Sequence, residues 1–222
     1  MAKNIIALFD LDGTLIDSTQ AIVDSFETAY ICHDQAPPSR EAIVKLIGYP
    51  LAQMFAQLGV NGAIDSFVAR YKEKYREICT AQTTLLPRAN DALALLYPIA
   101  KIAVVTTKTA SFSRVLLEHL GAAKYIDAIV GYEDVKNPKP HAEPILLALE
   151  RLGHGAKNPI AAEQTFMIGD TGFDIEAALN AKITPIALLC GYSTREELSQ
   201  FECEICTDAF DAAKMIVNRF CP

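Results

Sequence analysis

The sequence predicts an α/β protein, a doubly wound parallel sheet with an inserted α-helical cap domain. Three observations carry this. Short apolar runs recur at Ile5 to Phe9, Ile102 to Val105, Ala128 to Val130, Phe166 to Ile168 and Ile183 to Leu189. Each is nearly continuous, as strands buried on both faces require. The later runs alternate with segments of helical spacing, the signature of a parallel sheet. Finally, the stretch from Ser18 to Gln82, about 65 residues, shows helical patterns and no convincing strand.

Taken in order, the first strand is cut after five residues by Asp10. Asp17 and Gln20 then stand in a variant capping-box spacing ahead of Ala21, Ile22, Phe26, Ala29 and Tyr30, which share one helical face. Further helices are expected over Arg40 to Ile47, Leu51 to Leu58 and Ala63 to Ile78. Breaks fall at Pro37-Pro38, Gly48-Tyr49-Pro50 and Gly59 to Gly62. This block is too long for one crossover helix and its loops. Residues 18–82 are therefore expected to form the inserted domain, with 1–17 and 83–222 making the core. Beyond it, Phe112, Val115, Leu116 and Leu120 run to a stop at Gly121, and Ile145, Leu146, Leu149 and Leu152 to one at Gly153. Cys203-Glu204-Ile205-Cys206 has the spacing of half a zinc site or a redox pair. It lacks a second Cys/His pair and the placement of a redox motif, so it is read as a partly buried strand before the last helix.

With 222 residues, 51% of them hydrophobic, the chain can bury a real core, and ordinary Gly and Pro contents exclude collagen-like and disordered classes. The net charge of -7 offers no basic footprint for a nucleic acid or an anionic membrane. The first apolar run is too short for a signal peptide or a membrane span, so a cytoplasmic location is expected. Six cysteines, Cys32, Cys79, Cys190, Cys203, Cys206 and Cys221, are too dilute for a disulfide framework and are read as reduced thiols.

The residues that carry chemistry sit directly after the apolar strands. Asp10 and Asp12 come after the first, Thr106, Thr107 and Lys108 after the second, and Gly169-Asp170 with Asp174 after the fourth. Ligands of open α/β sheets bind at the carboxyl ends of strands, so three separate segments deliver carboxylates, hydroxyls and an ammonium to one crevice. Gathered carboxylates stay ionised only beside a cation, and hard oxygen ligands suit Mg²⁺. With Thr106 as a hydrogen-bonding group and Lys139 of Pro138-Lys139-Pro140 as a fixed charge, these are the ingredients of phosphoryl transfer. A carboxylate can itself be the nucleophile.

Phe9-Asp10-Leu11-Asp12-Gly13-Thr14-Leu15 closely resembles the first motif of the haloacid dehalogenase superfamily, in its phosphatase branch. Strand-end Thr106, Lys139-Pro140-His141-Ala142-Glu143-Pro144 and Gly169-Asp170-Thr171-Gly172-Phe173-Asp174 come in the order of its later motifs. The helical block resembles the superfamily's small α-helical cap. Pro87 to Leu96 and Gly191-Tyr192-Ser193 before Arg195-Glu196-Glu197-Leu198 are similar to phosphoglycolate phosphatases. The resemblance implies that Asp10 is the nucleophile and Asp12 the acid that protonates the leaving alkoxide, then the base for the hydrolytic water. It implies that Thr106, Thr107 and Lys139 hold the phosphoryl group. Asp10, the Asp12 carbonyl and Asp170 would bind Mg²⁺, with Asp174 acting on the metal's waters or on Lys139. A carboxylate at position 12 implies a phosphatase, because a departing halide needs no proton.

Two departures stand out. Thr107 replaces an Asn common in relatives, and Lys182 stands where they often carry a helix-terminating Gly, a cost of about 1 kcal/mol if that position is left-handed. The Lys-Pro pairing favours Lys139 over Lys136. Gly48-Tyr49-Pro50-Leu51 is expected to face the active site, with Arg40 and Lys45 as anion contacts. His141 is assigned to a helix start, and Asp17 and Ser18 to capping and the exit toward the cap. The expected partner is a small phosphorylated metabolite, with phosphoglycolate leading and no nucleic acid or membrane, and the expected state is a monomer or weak dimer. Pyrophosphate, nucleoside monophosphates, sugar phosphates and a β-phosphoglucomutase-type reaction use the same catalytic set. A phospho-aspartate signalling receiver would be about half this length, with no helical insertion.

Overall fold

The computed structural model describes residues 3–154 and 161–220. Cys221 lies outside them. Strand β1 (Ile5–Phe9) leads through a two-residue strand β2 (Ile16–Asp17) into helices α1 (Thr19–Ile31), α2 (Arg40–Val44), α3 (Leu51–Gln57) and α4 (Ile64–Ile78). The chain returns through β3 (Thr84–Leu85). It continues as α5 (Ala89–Leu96), β4 (Ala100–Val105), α6 (Ala110–His119), β5 (Ala128–Val130), α7 (Glu143–Arg151), β6 (Thr165–Gly169), α8 (Gly172–Asn180), β7 (Thr184–Leu188), α9 (Arg195–Leu198), β8 (Glu204–Cys206) and α10 (Ala209–Phe220).

Six strands form one sheet in the order β5-β4-β1-β6-β7-β8, every pair parallel. All five expected strands are present, and the Cys203–Cys206 segment supplies the sixth against β7. The continuous apolar runs result from burial on both faces. Ile5, Ala7 and Phe9 of β1 pack into one core with α5, α6 and α10, while Ile6 and Leu8 pack into a second with α7 and α8. The alternation is the two-residue period of a strand. The chain leaves β1 for β4 and β5 on one side, then for β6, β7 and β8 on the other. The sheet's switch point therefore lies beside the end of β1, where open α/β sheets form a ligand crevice.

Helices α1, α3 and α4 join through aromatic rings. Phe26 lies 4.5 Å from Phe55 and 5.1 Å from Tyr71, and Tyr30 lies 5.2 Å from Phe67, in tilted and edge-on arrangements. The helical block begins and ends at β2 and β3, which pair antiparallel with Ile16 opposite Leu85 and Asp17 opposite Thr84. This ribbon has no counterpart in the sequence reading, since a two-residue strand is too short to show periodicity.

The capping box expected at the start of α1 does not form. Asp17 accepts from the Thr19 amide at 2.9 Å, while Gln20 donates to Asp24 at 2.5 Å and accepts from Arg40 at 2.8 Å. Asp17 thus caps locally, but Gln20 takes the stronger charge-assisted bond on the helix surface. Helix α2 stops at Val44, where the bonds tighten to three-residue spacing before Gly48. Lys182 is left-handed, with φ of 58°, as its place after α8 demands. Cys203 and Cys206 are free thiols, and burial pushes Cys203 up and Cys206 to about 11, opposite to the activated thiolate of a redox pair. Among the described residues no helix is long and apolar enough to cross a membrane.

Candidate active site

Asp10 is the first residue beyond β1, and its amide still donates to the Ile168 carbonyl at 2.9 Å. The sheet therefore fixes its backbone. The buried ammonium of Lys139 spends all three hydrogens within the site: on Asp10 Oδ1 at 2.7 Å, Asp174 Oδ1 at 2.5 Å and the Val105 carbonyl at 2.9 Å. Lys136 is exposed, and only its amide is engaged, with Glu143. Of the two lysines, Lys139 is the one at the strand ends.

Asp170 is the first residue beyond β6 and is fully buried. Thr14 donates to its Oδ1 and the Tyr192 amide to its Oδ2, both at 2.8 Å. A Cβ at Gly13 or Gly191 would collide with this carboxylate, so backbone closes around it. Gly13 also has φ of 84°, which glycine adopts without strain. Asp174 occupies the third position of α8. Its Oδ2 accepts from the Thr171 amide at 3.1 Å and the Thr171 hydroxyl at 2.8 Å, while its Oδ1 takes Lys139. Thr171, rather than Asp170, is therefore the residue that caps α8.

Oxygens of Asp10, Asp170 and Asp174 all lie within 4.8 Å of one another. Three buried carboxylates against one ammonium leave an excess of negative charge. Burial, opposed by Lys139 and reinforced by Asp174, pushes Asp10 up to about 7. Burial and the neighbouring carboxylates hold Asp170 well above the usual range. Burial works against the charge on Lys139, yet Asp10 and Asp174 keep its ammonium more stable than in water. Such a set is short of positive charge and presents only hard oxygen donors, so it fits a divalent cation.

Asp12 points elsewhere. Ser18 donates to its Oδ1, and the buried Lys108 ammonium meets its Oδ2 at 3.0 Å. Lys108 also donates to the Tyr75 hydroxyl of α4 at 2.9 Å, tying the end of β4 to the helical block. Burial disfavours the charge on Lys108, but Asp12 and Tyr75 raise its pKa well above the ordinary value. Thr106 is buried beside them, and its hydroxyl accepts from the Lys108 amide at 3.2 Å. Thr107 lines a cavity shared with Asp12 and Lys108.

Gly48 and Tyr49 line the same cavity, with Tyr49 edge-on to Phe173 at 4.6 Å. Arg40 and Lys45, expected as anion contacts, do not reach it. Arg40 bonds Gln20 on the surface, and Lys45 is exposed and outside the cavity's lining. Instead, the cavity's cations are Lys108 and Lys72. His141 accepts from the Glu143 amide at 3.0 Å, a helix-start role. Sequence reasoning brought Lys108 to the crevice as one of the strand-end residues but gave it no partner, and it left Tyr75 without a function. The available signals were the position of Lys108 directly after Thr106-Thr107 and the four-residue spacing of Tyr71 and Tyr75 on one helical face.

A parallel α/β sheet with a lysine-bridged carboxylate cluster at its switch point defines an enzyme core built for anionic substrates. A sequence profile described as haloacid dehalogenase-like hydrolase matches residues 7–188. The protein named "Probable phosphatase IndB" of Dickeya dadantii is 34% identical over 212 residues, covering 92% of this chain and 90% of its own. Pyrophosphatase PpaX of Bacillus velezensis is 31% identical over 200 residues, 88% of each chain. A phosphoglycolate phosphatase of Salmonella typhimurium is 28% identical over 228 residues, 91% of this chain and 88% of its own. Among solved structures, a haloacid dehalogenase-like family hydrolase of Streptococcus pneumoniae superposes with a TM-score of 0.83 at 27% identity, over 97% of this chain and 99% of that one. The chain belongs to the haloacid dehalogenase-like hydrolases, and within them it is a phosphatase.

Proposed function

We propose that the protein is a Mg²⁺-dependent phosphomonoester hydrolase that works through an aspartyl-phosphate. The observation that carries this is the Lys139 ammonium seated between Asp10 and Asp174, with Asp12 two residues beyond the nucleophile. Asp10 attacks phosphorus with the carboxylate oxygen that Lys139 leaves unbonded. Lys139, with the Thr106 and Thr107 hydroxyls, steadies the phosphoryl oxygens as charge builds on them. Asp12 protonates the leaving alkoxide and then takes a proton from the water that cleaves the acyl phosphate. Asp10, the Asp12 carbonyl and Asp170 would hold the metal ion, with Asp174 beside them. When bound, Mg²⁺ supplies the charge that lets these carboxylates and the substrate phosphate approach one another.

In this reading residues 1–17 and 83–222 form the catalytic core and 18–82 the cap, which closes over the crevice and contacts the leaving group. The substrate is a small phosphorylated metabolite. Phosphoglycolate is the first candidate, supported by relatives that carry that name. Phosphate release from an aryl phosphate in the presence of Mg²⁺ tests the reaction. Asp10→Asn is expected to reduce it roughly a thousandfold or more, the scale set by removal of a catalytic nucleophile. Turnover surviving in that variant removes Asp10 as nucleophile.

A further inference from the structure

The cavity beside Asp12 is about 90 Å³ and lies between the end of β4 and the helices α3 and α4. Its wall away from Asp12 is apolar and aromatic, with Met54, Val68, Tyr71 and Phe112 prominent. At the far side from the catalytic aspartates it meets a second, larger groove of about 450 Å³, and Lys72, Thr109 and Phe112 line both. Arg76, one helical turn beyond Lys72, flanks that groove together with the hydroxyl residues Thr109 and Ser111. No carboxylate lines it. Among the described residues neither Lys72 nor Arg76 has a salt-bridge partner, while Arg70 and Lys74 of the same helix pair with Glu73 and Glu77. Lys108, the other cation here, is already matched by Asp12.

Apolar surface leading to two unmatched cations is an uncommon sequence of environments in a protein of net charge -7. From it we infer that the leaving alcohol has an apolar middle and an anionic far end, and that Lys72 and Arg76 receive that anion. The inference rests on the phosphatase reading above and deepens it. Asp12 lies at the cavity's inner end, where the scissile oxygen would sit. A polyol in the same place would meet Thr107 and Thr109 on one side but would set its other hydroxyls against Met54, Val68 and Phe112, where each costs an unmade hydrogen bond. A short chain or ring ending in a carboxylate meets apolar side chains first and cations last.

The test compares three matched aryl phosphates with Mg²⁺ present, phenyl phosphate and its 4-(2-carboxyethyl) and 4-(2-aminoethyl) derivatives, with ribose 5-phosphate as the alkyl, polyol comparison. Wild-type enzyme is expected to favour the carboxylate over phenyl phosphate in kcat/KM by about tenfold, with the ammonium ester and the sugar phosphate behind both. Lys72→Glu/Arg76→Glu is expected to invert the order of the carboxylate and ammonium esters. Lys72→Met alone, a change on a half-exposed helical face, is expected to cut the carboxylate preference about threefold. A wild-type enzyme that treats phenyl and carboxyethyl phosphates alike, prefers ribose 5-phosphate, or keeps its preference in Lys72→Met overturns the inference while leaving the phosphatase intact. Failure of wild type to release phosphate from any of the four overturns the phosphatase reading and the inference with it.

Discussion

Lys108 is the residue whose surroundings say most about how the two halves of the molecule work together. One ammonium touches Asp12 of the core and Tyr75 of the helical block, and both contacts are sheltered from water. Ser18 holds the other oxygen of Asp12. In the proposed reaction Asp12 delivers a proton to the leaving oxygen and would need such restraint, since about 1 Å of misplacement can cost roughly a hundredfold in rate. Lys108→Met is therefore expected to lower kcat by about 10- to 100-fold. The loss should be larger for alkyl than for aryl phosphates, whose leaving groups need less protonation. Steady-state kinetics on the two classes checks this, with Lys108→Arg restoring part of the activity. Equal losses on both would confine Lys108 to holding the fold. None of this was legible from composition: a lysine after a strand-end threonine marks proximity to the site, but its partner on α4 depends on how the helices sit.

At the scale of elements, the sheet strands were legible because each is buried on both faces and reads as a solid apolar run. Helices α1, α3 and α4 were legible because they keep apolar residues on one stripe. The β2–β3 ribbon was not, being two residues wide, and neither was the direction in which Arg40 and Lys45 project. The break at Gly48-Tyr49-Pro50 was legible, but the partner that holds Arg40, Gln20 of α1, depends on how the helices pack. Lys182 shows the opposite case, a local rule broken in plain view. With φ of 58° it carries a side chain where glycine is at ease. Nothing in the structure compensates for it, so Lys182→Gly is expected to stabilise the protein by up to about 1 kcal/mol. For a chain of this length that is a rise of roughly 2–4 °C in Tm, measurable by thermal unfolding. An unchanged or lower Tm would mean that the freedom glycine adds to the unfolded chain outweighs the relief at this residue.

Across the whole molecule, the carboxylate cluster links metal, protons and stability. Burial raises Asp10 to about 7 and Asp170 above its ordinary range. In the metal-free protein the native state therefore keeps protons that the unfolded chain releases above about pH 4. This contribution to stability is present at low pH and is lost as pH rises toward about 7. Under the proposed function, Mg²⁺ held at the cluster would displace those protons. Its stabilising effect is thus expected to grow with pH, with proton release on binding. Thermal unfolding in chelator and in Mg²⁺ at about pH 5.5 and about pH 7.5 checks this, and an identical Mg²⁺ shift at both values would contradict it. The catalytic end of the fold was legible because its residues sit just past strands, whereas the depth at which Gly13 and Gly191 set Asp170 came only with packing.

The ribbon of β2 and β3 has one more consequence. Because Ile16 faces Leu85 and Asp17 faces Thr84 as an antiparallel pair, the chain leaves the sheet and returns to it at neighbouring points. A two-residue Asn-Gly turn would span that gap as naturally as it closes a hairpin. In engineering terms the helical segment is a cassette with a standard socket. A segment of another shape spliced at the same junction would, under the proposed function, address a new leaving group only if it kept Ser18 and a partner for Lys108, the contacts that restrain Asp12.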